Sequence, residues 1–327
     1  MYVYAGIDEA GYGPMFGPLL VGRVVLGFEG VEPQAEPPDL WQHLARVVCR
    51  HGGRRSGRVL VDDSKKLYRK PGDLAHLEEG VLSFAALGEQ RPASVEEWLQ
   101  MLGDRRHGDL GALPWYAPSA AHPWQALPSA LTGPTLSMAS RMLGRGASEA
   151  GLSVLDLGAH VVWEDRFNEL VAAMRSKASV NFTLVVKHLD TIWRRFGHLA
   201  PTVVVDRQSG RRHYGALLLQ MFPIANLVEL GQTDHESGYR LHSGSRRMTV
   251  RFAVSADSHH LPVALASMLS KYTRELLMAR FQRWFACQAP HVKPTAGYAR
   301  DAKRFWNQIQ PVLAEKAIAS HMLRRQS

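Results

Sequence analysis

The segment from Gly6 to Pro18 constrains the fold more than any other part of the chain. It reads Gly-Ile-Asp-Glu-Ala-Gly-Tyr-Gly-Pro-Met-Phe-Gly-Pro, so two adjacent carboxylates, Asp8 and Glu9, end an apolar run and lead into a glycine-rich loop. Glycines allow a backbone to approach a ligand closely. Carboxylates beside such a backbone repel phosphate unless a divalent cation lies between them. The segment therefore indicates metal-dependent chemistry on a phosphate ester.

The pattern around this segment predicts a sheet of mixed direction. Residues 2–8 and 18–28 are rich in Val, Leu and Tyr and are separated by a short loop, which predicts an antiparallel hairpin. Because strand-like and helix-like runs then partly alternate, we expect an α/β domain with a mixed sheet. The further predicted strands are 154–163, 201–206, 224–230 and a hairpin over 238–256, and the predicted helices are 40–50, 180–196, 262–286 and 298–323.

Composition sets the class of protein and leaves its partner open. The chain has 327 residues, of which 46% are hydrophobic and 21% charged, enough for a large core. The formal net charge of +9 favours a polyanion such as nucleic acid, although a solvated basic surface explains it equally well. Two isolated cysteines, Cys49 and Cys287, exclude a disulfide framework. With no signal-peptide pattern and no apolar run of membrane length, we expect a cytoplasmic protein with no membrane contact.

Acidic residues end three of the predicted strands: Asp8-Glu9, Asp206 and Asp257. If these strands are neighbours, four carboxylates meet at one edge of the sheet, and they cannot all stay ionised there without compensation. Two divalent cations would resolve this, and hard oxygen ligands suit Mg²⁺ or Mn²⁺. Taken alone, Asp206 and Asp257 are better explained as turn formers or helix caps than as metal ligands. Asp62, Asp63, Asp190 and Asp234 remain competing candidates.

The glycine loop does not match a dinucleotide-binding fingerprint. Its glycines are Gly11, Gly13 and Gly17, whereas the fingerprint requires its third glycine one position earlier, where Phe16 stands. A strand follows the loop, so no helix N-terminus is available for pyrophosphate.

The motifs along the chain resemble those of the type 2 ribonucleases H, the ribonuclease HII and HIII group. The opening Asp8-Glu9-Ala10-Gly11-x-Gly13, followed by Gly17-Pro18, is similar to the signature of that family. Further similar elements follow in the same order: Asp63-Ser64-Lys65-Lys66-Leu67, the helix from Asn181 to Trp193, Val205-Asp206, Asp257 with Ala266-Ser267 and Lys271-Tyr272-Thr273-Arg274, Gly297-Tyr298 and Arg324-Arg325.

The resemblance implies a ribonuclease H-like fold: a mixed sheet flanked by helices, with a C-terminal helical extension. We expect a catalytic domain over 1–280 and the extension over 281–327. Residues 83–150 have no counterpart that we can assign. Their pattern is weak and rich in proline, and we expect an insertion with one or two short helices, serving as a lid or a partner surface.

The resemblance also implies an activity. The chain would be an endoribonuclease that cuts the RNA strand of RNA:DNA hybrids, or ribonucleotides embedded in duplex DNA, leaving 5′-phosphate and 3′-hydroxyl ends. Two Mg²⁺ or Mn²⁺ ions would be held by Asp8, Glu9, Asp206 and Asp257, and we expect a monomer. The residues expected to contact substrate are Gly11, Tyr12, Gly13, Lys65, Lys66, Ser267, Lys271 and Tyr298.

Tyr12 departs from the family pattern, in which this loop is Gly-Arg-Gly. Tyrosine can stack or donate one hydrogen bond, but it cannot make a charged bidentate contact. The backbone amides of Gly11 and Gly13 can still hydrogen-bond to the ribose 2′-hydroxyl, which distinguishes RNA from DNA. Two alternatives therefore stay open: a nuclease with shifted substrate choice, and a catalytically silent nucleic-acid-binding paralogue. The presence of all four acids argues against silence.

Overall fold

The computed structural model describes residues 1–30, 36–50, 57–104, 106, 110–120, 122–208 and 210–326. Its strands are β1 (Tyr2–Ala10), β2 (Leu19–Phe28), β3 (Val48–Cys49), β4 (Val59–Leu60), β5 (Leu152–Val162), β6 (Thr202–Asp206), β7 (Asn226–Gln232), β8 (Glu236–Ser243) and β9 (Arg246–Ala253). Its helices are α1 (Leu40–His43), α2 (Ser64–Leu67), α3 (Ala75–Leu87), α4 (Val95–Leu102), α5 (Gly133–Glu149), α6 (Glu164–Met174), α7 (Lys177–Phe196), α8 (Gly215–Met221), α9 (Leu261–Gln288), α10 (Ala299–Glu315) and α11 (Ser320–Leu323).

Seven strands form one sheet in the order β5-β2-β1-β6-β9-β8-β7. β1 and β2 form the predicted antiparallel hairpin, with Tyr2 opposite Phe28 and Ala10 opposite Leu20. β1, β6 and β9 are parallel, so their carboxyl ends meet at one edge of the sheet. β5 at one side and the β8–β7 hairpin at the other are antiparallel to their neighbours. The predicted ribonuclease H-like arrangement, a mixed sheet flanked by helices with a helical C-terminal part, is confirmed.

Helix α9 packs directly on the backbone of the central hairpin. A Cβ atom on Gly6 would lie 2.2 Å from the carbonyl carbon of Pro262, so only glycine fits there. A Cβ atom on Gly22 would lie 2.5 Å from the Ser270 Oγ and 3.0 Å from the Ala266 carbonyl oxygen, so the approach is also close at this position. The Ser270 hydroxyl donates to the carbonyl oxygen of Asp8 at 3.2 Å. Although α9 is 28 residues long, neither it nor any other helix in the described ranges has the length and apolarity to cross a membrane.

The opposite face of the sheet is covered by α7. Alternate residues of β1, such as Val3, Ala5 and Ile7, are fully buried there together with Val185 and Leu189 of the helix. Because successive side chains of a strand point to opposite faces, the two helices bury both faces of the central strands. This explains why β1 and β2 are apolar without alternation.

The described residues of the 83–150 region contribute side chains to the core. Besides the end of α3 they form α4 and the 17-residue α5, which is more helix than the sequence pattern predicted. Trp98 and Tyr116 are fully buried, and Trp98 Nε1 donates to Thr273 Oγ1 of α9 at 2.8 Å. The guanidinium of Arg280, also on α9, donates to the carbonyl of Tyr116 at 2.6 Å. The expected domain boundary at residue 280 lies within α9, which runs past it unbroken.

The helix predicted over 40–50 is wrong beyond its first turn. Only Leu40–His43 is helical, and Val48–Cys49 forms β3, which pairs in parallel with β4. The Val59 amide donates to the Val47 carbonyl at 2.8 Å and extends this pairing. β-Branched residues favour an extended backbone when a partner strand is available, so tertiary pairing overrides the helical spacing of the apolar side chains. Gly52 and Gly53, which follow this predicted helix in the sequence, lie outside the described residues.

Glu78 anchors the loop that leads into α5. Its side chain is fully buried and accepts hydrogen bonds from both the amide and the hydroxyl of Ser129 and from the Tyr272 hydroxyl on Oε1, at 2.7–2.8 Å. Oε2 accepts from the amides of Ala130 and Leu131 at 2.7 and 2.8 Å. A carboxylate satisfies five donors here because both of its oxygens only accept.

We predict that Glu78→Gln lowers the free energy of unfolding by about 3 kcal/mol, because one end of the amide becomes a donor facing buried N–H or O–H groups. Urea unfolding followed by circular dichroism measures this change. Glu149→Gln is the matched control, since the Glu149 side chain is 66% exposed and pairs with Arg46 only at 3.7 Å. A loss no larger than that of the control would contradict the anchoring role of Glu78.

Candidate active site

The carboxyl ends of β1 and β6 and the turn after β9 open into one cavity of about 370 Å³. Asp206 is the last residue of β6. Asp257 lies four residues beyond the end of β9, in a short helical turn (Ala256–Ser258), and not at the strand end itself. The cavity is lined by five acidic residues from four segments of the chain: Asp8, Glu9, Asp63, Asp206 and Asp257.

Asp8 and Glu9 reach the cavity from opposite faces of β1. Asp8 is 7% exposed and is hydrogen-bonded by the Ser267 side chain of α9. Glu9 is hydrogen-bonded by the side chain of Asn181 in α7, the helix on the other face. The Glu9 amide donates to Asp8 Oδ1 at 2.7 Å. The order Asp-Glu at the end of a strand therefore places one carboxylate beside each flanking helix.

Two further carboxylates are held by backbone and side-chain contacts. Asp206 Oδ1 accepts from the Ala256 amide at 2.8 Å, which ties the turn carrying Asp257 to the end of β6. Asp257 is hydrogen-bonded to Asp63. Asp63 is also the N-cap of α2, where its Oδ1 accepts from the Lys65 amide at 2.9 Å. Asp63, a competing candidate in the sequence, thus lies in the same cavity as the four predicted acids.

Burial and mutual repulsion raise the pKa of these acids. Burial first, and then the charges of Glu9 and Asp206, raise the pKa of Asp8 well above its usual range. Burial raises the pKa of Glu9 to about 7, against the hydrogen bond from Asn181, and burial with the neighbouring Asp63 raises that of Asp257 to about 6. The pKa of Asp206 is also raised by burial. The cavity is therefore a site of concentrated, incompletely compensated negative charge.

Lys65 lines the same cavity, and its ammonium group interacts electrostatically with four of the five acids. Burial alone would lower the pKa of its ammonium group, but Asp63, Asp257, Asp8 and Asp206 together raise it. Lys65 therefore remains charged and offsets part of the negative charge. One ammonium group cannot neutralise five carboxylates, so the cavity retains the electrostatic character of a cation site.

The donor set fits a hard divalent cation in its ligand chemistry. All five acids supply oxygen ligands, and the buried Oδ1 of Asn181, next to Glu9, has no hydrogen-bond partner. In the side-chain arrangement of the described ranges, no three or more His, Cys, Asp or Glu side chains converge into a complete metal-binding group. The structure therefore agrees with the expected Mg²⁺ or Mn²⁺ site in two respects: the ligands are carboxylate oxygens, and the acids share one cavity.

The residues expected to contact substrate separate into two groups. Gly11, Tyr12, Lys65, Ser267, Lys271 and Tyr298 line the same cavity as the acids. Gly13 lies beside it, where an added Cβ would meet no atom within 4 Å. Lys66 points elsewhere: its ammonium group pairs with Asp62 Oδ1 at 3.1 Å, and its side chain is 47% exposed. The periodicity of α2 explains this, because adjacent residues on a helix face different directions.

Sequence reasoning did not single out the polar groups that orient the predicted residues. Ser64 Oγ lies 3.0 Å from Ser267 Oγ, the group that contacts Asp8. Lys271 Nζ pairs with Glu275 Oε1 at 2.7 Å and lies over the ring of Tyr68. In the sequence, Asn181 is distinguished only as the first residue of the predicted helical element Asn181–Trp193. The signal that could have found it is a polar residue on the buried face of that helix, where an unpaired amide would be costly.

Comparison with known proteins finds structural matches only. No protein-family model matches the chain, and no curated protein matches it in sequence. The structure is similar to ribonuclease H2 from Pyrococcus horikoshii, with 15% identity, 98% of this chain and 92% of that chain covered, and a TM-score of 0.47. It is also similar to ribonuclease HII from Archaeoglobus fulgidus in its complex with PCNA, with 16% identity, 99% and 92% coverage, and a TM-score of 0.41.

A third match is Bst ribonuclease HIII in complex with Mn²⁺, at 12% identity and a TM-score of 0.42. This match covers 99% of the present chain and 66% of the ribonuclease HIII chain. All three are structures of type 2 ribonucleases H, the family that the sequence motifs resemble.

The charge cluster predicts an unusual stability profile. Carboxyl groups whose pKa is raised by folding stabilise the protein at low pH, and this contribution is lost as the pH rises through about 6–7. At pH 8 without divalent cations, we therefore expect Asp8→Asn to raise the melting temperature by about 2–4 °C, because it removes one repelling charge. Millimolar Mg²⁺ should raise the melting temperature of the unmodified protein and leave that of Asp8→Asn nearly unchanged.

Differential scanning fluorimetry with and without Mg²⁺ measures both effects. Asp190→Asn is the matched control, since Asp190 lies on the surface of α7 and pairs with Arg194 at 3.0 Å. If Asp8→Asn melts below the unmodified protein at pH 8 without cations, repulsion within the cavity is not the dominant effect.

Proposed function

We propose that this chain is an endoribonuclease that cuts the RNA strand of RNA:DNA hybrids, or ribonucleotides embedded in duplex DNA, leaving 5′-phosphate and 3′-hydroxyl ends. The observation that carries the proposal is the shared cavity: carboxylates from β1, α2, β6 and the turn after β9 meet beside the glycine-rich loop. Concentrated carboxylates repel phosphate, so a site that combines them with a close-approach backbone needs divalent cations to bind a phosphodiester.

Asp8, Glu9, Asp206 and Asp257 would hold two Mg²⁺ or Mn²⁺ ions. When bound, such ions activate water for attack on the phosphorus and stabilise the leaving 3′-oxygen. The chain's own contribution is positioning. Ser267 orients Asp8, Asn181 orients Glu9, and the Ala256 amide orients Asp206, so each ligand is held by an element on a different side of the cavity.

The same cavity offers contacts for the nucleic acid itself. Lys65 and Lys271 supply positive charge to the phosphates that flank the cut, and this affinity is independent of sequence and sensitive to salt. Tyr298 is 47% exposed at the rim, where its ring can stack on a sugar or a base. Gly11 and Tyr12 line the cavity, where their backbone would be available to a ribose 2′-hydroxyl.

Cleavage of a labelled RNA:DNA hybrid with Mg²⁺ or Mn²⁺ tests the proposal. We expect Asp8→Asn to reduce cutting about 1,000-fold or more while leaving hybrid binding within about 3-fold, because the carboxylate acts on cations and not on the duplex directly. Asp190→Asn is the control that should cut normally. Product ends are read by ligation and by labelling with polynucleotide kinase.

Two outcomes would reject the assignment. Equal cutting by Asp8→Asn and the unmodified protein would place the activity elsewhere. Binding of the hybrid without cutting, in either cation, would favour a silent nucleic-acid-binding paralogue.

Tyr12 leads to a prediction about substrate choice. Because tyrosine cannot make the bidentate charged contact that arginine makes, we expect a full hybrid to be cut better than a duplex with one ribonucleotide. Tyr12→Arg should raise the ratio of kcat/KM for the single-ribonucleotide duplex over the hybrid by about 10-fold. Tyr12→Phe, which removes only the hydroxyl, is the control. A strong preference of the unmodified enzyme for single ribonucleotides would contradict this view of Tyr12.

A further inference from the structure

The buried side of the glycine-rich loop is bound by a residue from the far end of the chain. The loop turns through Gly11 and Gly17, whose φ angles of +85° and +88° only glycine adopts without strain. The guanidinium of Arg325 donates from Nη1 to the carbonyl oxygens of Gly11 and of Gly17, the latter at 3.3 Å. Nη2 donates to the Tyr12 carbonyl at 3.1 Å. One side chain therefore binds both ends of the loop.

The segment that carries Arg325 is itself tied to the domain. Asn168 of α6 donates from Nδ2 to the carbonyls of His321 at 2.6 Å and of Arg324 at 2.9 Å. Its Oδ1 accepts from the Gln326 amide at 2.7 Å. The Arg325 amide donates to the Met15 carbonyl at 2.9 Å, within the loop. These contacts fix the backbone on both sides of Arg325 and thereby fix its side chain.

The burial of Arg325 shows that this contact is not incidental. Arg325 is 3% exposed, and its guanidinium lies 3.9 Å from the centre of the Phe167 ring. Burial lowers its pKa to about 10, so the group stays charged at neutral pH. Burying a cation is costly unless its donors are satisfied. Here both terminal nitrogens donate to loop carbonyls, and only the buried Nε is without a hydrogen-bond partner. Glu164 binds a backbone donor of the same loop: its Oε1 accepts a hydrogen bond from the Gly17 amide at 3.0 Å.

The direction of these contacts determines what the loop presents to the cavity. In a trans peptide, a carbonyl and the following N–H point in opposite directions. With the carbonyls of Gly11 and Tyr12 turned toward Arg325, the amides of Tyr12 and Gly13 are directed to the opposite side. Gly11 and Tyr12 also line the cavity. The guanidinium thus sets the orientation of two consecutive backbone donors.

We propose that Arg325 is a positioning residue, which holds the glycine-rich loop so that the amides of Tyr12 and Gly13 face the ribose of the substrate. This inference rests on the proposed function for its catalytic consequence, but not for its structural one. Loss of Arg325 leaves every carboxylate and every cavity lysine in place, yet frees the loop to rotate its peptide groups away from the substrate.

The experiment compares Arg325→Ala and Arg325→Lys with Arg324→Ala. Arg324 is the matched control: it precedes Arg325 in the same segment, is exposed, and its guanidinium lies over the ring of Trp306. Each protein is assayed for cleavage of two substrates of equal sequence: a full hybrid and a duplex with one ribonucleotide. The ratio of the two kcat/KM values does not depend on the fraction of folded enzyme, so a general loss of stability cannot move it.

We expect Arg325→Ala to lower kcat on the hybrid by about 10-fold or more and to lower the single-ribonucleotide ratio by a further factor of about 10. A hybrid carries a 2′-hydroxyl at every position of its RNA strand, whereas the other duplex has only one. A loop that is no longer held in position should therefore lose recognition of the single ribonucleotide first. Arg325→Lys should fall between, because one ammonium group cannot reach three carbonyls. Arg324→Ala should match the unmodified enzyme. Methylguanidinium should restore cutting by Arg325→Ala, but an equal concentration of sodium chloride should not.

Amide hydrogen exchange of the substrate-free proteins separates this inference from the proposed function. We expect faster exchange over residues 11–17 in Arg325→Ala, with the strands of the central sheet unchanged. That result supports the positioning role even if the unmodified protein cuts neither substrate. Loop exchange and a substrate ratio equal to those of Arg324→Ala would overturn the inference. Accelerated exchange throughout the sheet in both Arg325 variants would also overturn it, in favour of a purely structural role.

Discussion

The contact between the N-terminal turn of α9 and the backbone of β1 is the constraint on which the rest of the structure depends. At Gly6 the helix approaches so closely that a single methyl group would collide with its backbone. This approach brings the turn with Asp257 to the end of β6 and brings Ser267 within reach of Asp8. The candidate site is therefore a consequence of core packing, because the same interface that buries the hairpin also aligns the acids.

The acidic cavity opposes the stability that this packing provides. Five carboxylates share a partly buried space with one strongly coupled ammonium group, and the pKa values of four of them are raised. Such a cluster costs folding free energy unless a cation offsets it, and buried, mutually repelling acids are typical of functional sites. The rigid elements around it, two central strands and two covering helices, allow the fold to tolerate this cost. The acidic cavity thus destabilises the fold locally, while the packed strands and helices around it supply the stabilising contacts.

The loop beside the acids shows how distant segments complete a site. Its buried side contacts α6 through Glu164 and the C-terminal segment through Arg325, and Tyr116 of the 83–150 region donates to the same Glu164 oxygen at 2.8 Å. The 83–150 region has a weak pattern in the sequence because buried residues such as Trp115 and Tyr116 lie outside its helices and pack individually against α9. Periodicity reports regular elements, so it does not register contacts of this kind.

The sequence by itself determined the elements whose physics is local or repetitive. The β1–β2 hairpin, β6, the β8–β9 hairpin and α9 follow from runs of β-branched residues and from helical spacing, and the strand-terminal acids identify the edge where a site would form. Only the tertiary structure decided which side chains share that edge. It brought Asp63 and Asn181 to the cavity, turned Lys66 toward Asp62, converted Val48–Cys49 from predicted helix to strand, and placed Arg325 under a loop more than 300 residues away in sequence. The physical reason is that periodicity fixes the direction of a side chain within its own element, whereas its partners depend on how separate elements pack.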